Sequence, residues 1–410
     1  MSIINYTPVS KPFLMTGVIL SFIGTIIGSI WMLSLFGNFL PQQAILIFKI
    51  HPILQLNGFV TLMIMGVGYM IIPRMRNELT PSTKLAKLSY VLVLSSIAVD
   101  FVSGIIMTDY TKISLTLRLI GVSIFGGLMF YMLRIVPKLL READYFIVIS
   151  ISLLISAQVL SILELHHNQL VQKQFWLFFP ILMISAIQYK TLPSFLGFIR
   201  PKRKLVFASI TMAIISAGFG ITTSIFQSAL LDVVFNLSML AMVLLFALSV
   251  YIYGGFNNTE ILKLITGEKK KRYHTIVLYS RIAYGFLFAG LVLGTVYAAD
   301  LKNFALYDLT IHYVAIGFIG VTIMLYLPIM IPPILEKSVR FLEFNHIPLF
   351  LILSGLAIRT VGDFVVTLGL REQTGVILGV SGFVVLSGMF LFVRMIHLAM
   401  KNPHSDLPVA

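Results

Sequence analysis

Twelve stretches of about 20 predominantly apolar residues follow one another along this 410-residue chain, and no other feature restricts its fold so far. A bilayer's hydrocarbon core is crossed by a helix of about 20 apolar residues, because a helix satisfies its own backbone polar groups where no water can. Read this way, the spans are 13–36, 50–73, 85–107, 113–136, 145–165, 174–197, 205–226, 229–253, 275–298, 309–334, 347–369 and 374–399. Polar or proline-containing breaks, such as 74–83 and 257–272, separate most of them. The seventh and eighth are parted only by a few residues around Gln227. Charged residues make up 11% of the chain against 58% hydrophobic, too few to cover a water-facing surface, which takes roughly 25%. The expected fold is all-α: a single polytopic transmembrane domain over 1–410, multi-pass in a cell membrane.

The sidedness of the spans follows from Lys and Arg. With the N-terminus inside, 21 of the 30 basic residues fall in cytoplasmic segments and 5 in outer ones, with the same bias at almost every loop. That is the distribution the positive-inside rule describes, and it places both termini in the cytoplasm. It also accounts for the net charge of +14 without a nucleic-acid partner; the lipid bilayer is the partner the composition calls for. The basic run 269–272 is read first as part of this signal. No compact basic region precedes the first span, so no cleavable signal peptide is expected. Single cysteines introduced at Asn257 and Asn303 test the orientation, since the chain has no cysteine of its own. Asn303→Cys is expected to label with an impermeant reagent outside intact cells, and Asn257→Cys to stay protected; labelling at Asn257→Cys reverses the topology.

The absence of cysteine excludes disulfides, thiolate metal sites and cysteine nucleophiles. No catalytic residue is assigned from the sequence. Small residues four apart, Gly24 and Gly28, Gly290 and Gly294, Gly375 and Gly379, mark helix faces where a neighbour packs closely within the chain.

The eight histidines sort by side. His274, His346, His397 and His404 fall at cytoplasmic ends, where histidine is ordinarily solvated; His51, His166, His167 and His312 fall on the outer side. His51 opens the second span and His312 the tenth, each expected within the first turn, at most about 5 Å deep. Imidazole at that depth must be hydrogen-bonded, hydrated or metal-bound, and neutral imidazole is a common haem and metal ligand. His51, Gln55 and Gly58 are spaced i, i+4, i+7 and share one helix face. Such a face offers a ligand, an amide and a gap, suited either to a flat macrocycle or to close helix packing. His312 is likewise followed by glycines, Gly317 and Gly320. The sixth span, with its Gln174 start and Pro193 end, faintly echoes the second as a loose internal repeat. His166 and His167, beside Glu164, are candidates for copper or zinc. Adjacent residues of a helix point about 100° apart, however, and a solvated loop pair is the alternative.

In the segment His51-Pro-Ile-Leu-Gln-Leu-Asn-Gly-Phe59 and its continuation to Arg74, the chain resembles the NnrS family, membrane proteins related to haem–copper oxidase subunit I. Three further stretches carry the likeness: 191–202 (TLPSFLGFIRPK), Arg281 to Gly290, and His312 to Gly320. Together they cover about a fifth of the chain, in order. The resemblance implies a twelve-helix bundle like oxidase subunit I, b-type haem, copper as a further candidate, and a link to nitric oxide or nitrite metabolism. It also implies that His51 and His312 hold one low-spin haem iron from opposite faces, with Gln55 and Gly58 beside it. The sequence departs from the oxidases where the copper ligands belong. The sixth and seventh spans have no histidine, and position 314 is Val. An oxygen- or nitric-oxide-reducing haem–copper enzyme is therefore not expected.

Asp100, Arg118, Arg281, Arg359 and Asp363 lie inside spans, where charge is costly unless paired or facing a cavity. Arg359 and Asp363 are one turn apart and suited to pair; Arg359 or Arg118 is also suited to a haem propionate, since a guanidinium fork fits a carboxylate. Electron transfer, or handling or sensing of nitric oxide, is the leading expectation, with redox proteins as partners. A secondary transporter with a polar path and a membrane anchor subunit of a redox complex are the alternatives.

Overall fold

The structure is a computed structural model, and it describes residues 7–37, 50–76, 78–106, 109–135, 142–165, 169–226, 228–254, 268–299, 303–335 and 345–401. Among these residues there are helices and no strands, and twelve helices are long and apolar enough to cross a membrane. The chain is an all-α, multi-pass membrane protein. Helices α1 (Thr7–Gly37), α3 (Thr83–Ile106), α4 (Thr111–Ile135), α5 (Glu142–Ile162) and α6 (Gln169–Leu196) are followed by α7 (Arg203–Ile225) and α8 (Ala229–Val250). Then come α9 (Glu268–Ala298), α11 (Ile347–Thr367) and α12 (Arg371–Lys401). Helices α2 and α10 are composite. α2 runs through Ile50–Ile53, a π-helical stretch Leu54–Thr61, and Leu62–Arg76; α10 runs through Phe304–His312, a π-helical stretch Tyr313–Gly320, and Val321–Leu335.

α7 ends at Ile225 and α8 begins at Ala229, so the two are separate helices, as the sequence indicates; Gln227 itself lies outside the described residues. One boundary differs in a way that matters. α10 begins at Phe304, because the Asn303 side chain caps it by accepting from the Leu306 amide at 2.8 Å. His312 is thus the last of nine residues in the first segment, about 12 Å along the helix at 1.5 Å per residue, and not in its first turn. The expected echo is displaced as well. α6 is α-helical throughout despite Pro180 and Pro193, and it is α10 that repeats the irregularity of α2.

The chain forms two compact units: residues 1–136 with 326–410, and residues 137–325. In the first, α1 packs along α2 and α12, α3 along α4, and α11 along α12. In the second, α5 packs with α6 and α7, α7 with α8, and α9 with α8 and the upper part of α10. The exposed surface of these helices is apolar, with Ile19, Val91, Ile214, Leu248 and Phe364 among the side chains facing outward. Lipid is the medium that suits such a surface.

Candidate functional site

In the first unit, α2 lies on α1 in a register set by glycines. A Cβ at Gly28 would sit 2.5 Å from the His51 ring, and one at Gly24 would sit 2.8 Å from the Gln55 amide nitrogen. The two glycines therefore let both side chains of α2 lie against bare α1 backbone. His51 Nδ1 reaches the Gly24 carbonyl at 2.7 Å. Gln55 Nε2 donates to the Ser21 carbonyl and to Thr25 Oγ1, each at 3.1 Å. A carbonyl only accepts, so Nδ1 of His51 carries the proton and Nε2 carries the lone pair. This is the second-sphere arrangement that orients a ligating imidazole and raises its basicity.

A Cβ at Gly58, on the same face, would sit 2.9 Å from Leu20. Helix packing thus accounts for Gly58, and Gln55 is engaged by α1; neither leaves a flat slot between the two helices.

The turn after His51 is π-helical, and its effect is visible at Thr61, whose hydroxyl donates to the carbonyl five residues back, Leu56, at 2.8 Å. Single π-turns widen a helix, shift the register of side chains on either side, and recur at functional positions. Trp31 of α1 stands edge-on to His51, with ring centroids 6.2 Å apart. Its indole N–H is buried and has no hydrogen-bond partner. This donor was not singled out by sequence reasoning. Its signal was present, since Trp31 follows Gly28 by three residues and is one of two tryptophans in the chain.

In the second unit, His312 repeats the pattern with its own helix. Its Nδ1 contacts the Asp308 carbonyl at 2.8 Å and the Asp308 carboxylate at 3.3 Å. The carbonyl again assigns the proton to Nδ1 and the lone pair to Nε2. A π-helical stretch again follows directly, and the Val321 N–H bonds back to the Ile316 carbonyl five residues before it. Asp308 itself is 4% exposed and was likewise missed, being an ordinary helix residue by its neighbours in sequence.

The buried charges divide by what they touch. Arg118 is 4% exposed and forms an ion pair with Asp100 of α3. It also donates to Ser96 Oγ at 3.2 Å and to Ser114 Oγ at 3.0 Å. Its guanidinium is thus engaged within the α3–α4 pair. Arg281 donates to the carbonyls of Ile252 at 2.9 Å and Gly254 at 2.6 Å, in the turn that follows α8. Arg359 and Asp363 are buried one turn apart on α11, and Arg359 Nη2 lies 3.8 Å from the Met32 sulfur.

His166, His167 and His404 lie outside the described residues. His274, His346 and His397 are exposed. Among the described residues, no group of three or more His, Asp or Glu side chains is placed to hold a metal ion. Compared with models of known protein families, and with characterised proteins, the chain matches none.

Proposed function

We propose that this multi-pass membrane protein binds b-type haem through His51 and His312, and that it serves electron transfer or the handling or sensing of nitric oxide. One observation carries the reading. Each histidine is held by an Nδ1 hydrogen bond to a backbone carbonyl, which in the neutral ring leaves the lone pair on Nε2, and a π-helical stretch begins three residues after His51 and one residue after His312. The same construction occurs twice, in two units that share no residue.

The fit to haem lies in this donor set. Imidazoles held through Nδ1 would offer Nε2 to a haem iron, and the buried Trp31 N–H beside His51 would suit an anionic oxygen such as a propionate. Gln55, Gly58 and Arg118 are given no part, because α1 and Asp100 account for them. Arg359, buried on α11, is assigned to a carboxylate only on the fit of its guanidinium fork.

When bound, haem supplies a one-electron iron couple, and an open iron position would add gas binding. The chain's own contribution is to hold each ring through Nδ1 on a backbone carbonyl. The proposed relation to the NnrS family agrees with this reading through the His51–Arg74 and His312–Gly320 segments. A visible spectrum of the purified protein tests it. A Soret band with sharp reduced α and β bands is expected; a featureless spectrum from haem-replete cells overturns the proposal and favours a transporter.

A further inference from the structure

In the second unit, the loop from α6 into the first turn of α7 carries Arg200, Lys202, Arg203 and Lys204, all of them exposed. Among the described residues, only Arg203 has an acidic partner. Its Nε lies 2.6 Å from the Glu142 carboxylate of α5, and 77% of the side chain stays exposed. The first turn of α7 holds no acid. Cations gathered this closely repel one another.

The loop is also fixed in place, so the charges are not free to spread. Gly197, at φ 67°, turns the chain out of α6 in a conformation that suits glycine. Phe198 is buried, and its N–H returns to the Leu192 carbonyl at 3.2 Å. The Lys202 N–H donates to the Ser249 carbonyl of α8 at 3.0 Å. The Tyr273 hydroxyl of α9 donates to the Leu196 carbonyl.

The surface that continues from these charges along α7 is apolar. Arg203, Phe207, Thr211, Ile214 and Gly218 are exposed and spaced to fall on one face of the helix. The Arg203 guanidinium lies 5.5 Å from the Phe207 ring centroid, and Tyr145 of α5 stands edge-on to the same ring at 6.4 Å. The Thr211 hydroxyl donates to the Phe207 carbonyl at 3.1 Å. At Gly218 a Cβ would meet nothing within 4 Å. From Arg203 to Gly218 the face runs about 22 Å, longer than the roughly 15 Å of one leaflet's hydrocarbon.

We infer that this face of α7 seats an anionic phospholipid, its headgroup at Arg200, Lys202 and Lys204 and an acyl chain along Phe207 to Gly218. Charge complementarity selects an anion. The apolar stripe selects a lipid over a soluble acid, which would leave that stripe uncovered. A zwitterionic lipid would cover the stripe but leave the charges unmatched. The positive-inside rule accounts for the side on which the cations lie. It does not account for four of them being held on a fixed loop above one lipid-facing stripe. The seat does not depend on haem and stands or falls separately from it.

Thermal unfolding in a neutral detergent tests the seat, with phosphatidylglycerol or phosphatidylcholine of identical acyl chains titrated in. Phosphatidylglycerol is expected to raise the wild-type midpoint saturably, by about 3 °C or more, and phosphatidylcholine is not. Lys202→Gln with Lys204→Gln is expected to need roughly 30-fold more phosphatidylglycerol for half the gain, the factor that two cations at a membrane surface contribute. Lys84→Gln with Lys87→Gln removes two exposed cations from the start of α3 and is expected to titrate as wild type. Equal responses to the two lipids overturn the proposal, as does an equal gain from inorganic phosphate alone, which would mark a site for a free anion. Equal losses in the two double variants overturn the location, since net charge then suffices. Should the Lys202 and Lys204 variant fail to fold, native mass spectrometry of the wild-type protein from an equimolar mixture of the two lipids decides, with no preferential retention of phosphatidylglycerol as the negative result.

Discussion

Replacing His51 or His312 by alanine is expected to abolish the low-spin haem spectrum or to strip the haem, while His274→Ala and His346→Ala leave both unchanged. The two targets hold their Nδ1 protons on backbone carbonyls, whereas the two controls are exposed. A sharper variant changes no candidate ligand. Gly28→Ala places a methyl group 2.5 Å from the His51 ring, closer than van der Waals contact permits, and must drive the ring off the Gly24 carbonyl. Loss of such an orienting contact lowers affinity by about 10–100-fold in metal sites, and a comparable fall in haem retention is expected. Gly218→Ala is the matched control. Nothing lies within 4 Å of its new methyl, and alanine is the better helix former by about 1 kcal/mol. If only one histidine matters, the iron has an open position, and nitric oxide binding becomes the better function and electron transfer the worse. If both alanine variants keep full haem content and spectrum, the ligand assignment is wrong.

Arg118→Met is expected to destabilise the protein by about 3–5 kcal/mol, because it leaves the Asp100 carboxylate, 9% exposed, facing Met in an apolar helix pair. The double variant Arg118→Met with Asp100→Leu is expected to recover most of that loss. A buried ion pair replaced by apolar groups of similar volume is often neutral, since desolvation of two charges offsets much of their attraction. Ser96 and Ser114 would lose their contacts to the guanidinium in either case. Each keeps a backbone alternative, however: Ser96 Oγ donates to the Val93 carbonyl and Ser114 Oγ to the Ser96 carbonyl. Unfolding in detergent by denaturant measures the two variants side by side. An equal loss in both would show that the pair contributes net stability of its own and that the cost is not that of an orphaned charge.

What the sequence determined by itself is the number of membrane-crossing helices. Lipid imposes about 20 apolar residues on every crossing, so each span is a local property, readable without its neighbours. Even the separation of α7 from α8 was legible for that reason. The histidines, too, were visible as candidates, because imidazole on an otherwise apolar span is chemically conspicuous.

Tertiary structure decided the rest. Gly24 and Gly28 read as a packing stripe in either case, but only the register of α2 on α1 shows that they receive Gln55 and His51, and that Leu20 fills the gap at Gly58. Asn303 as a cap moves His312 about two turns into α10, where the apolar pattern alone starts the span later. The π-helical stretches in α2 and α10 leave no periodic trace, since one extra residue in a turn changes direction and not composition. The Gln174–Asn236–Thr310 cluster joins residues separated by 62 positions and more along the chain. Each is an unremarked polar residue in its own helix. They come together only where three helices pack on the bare backbone of a fourth at Gly294, and that direction is set by packing between helices and not by any pattern within one.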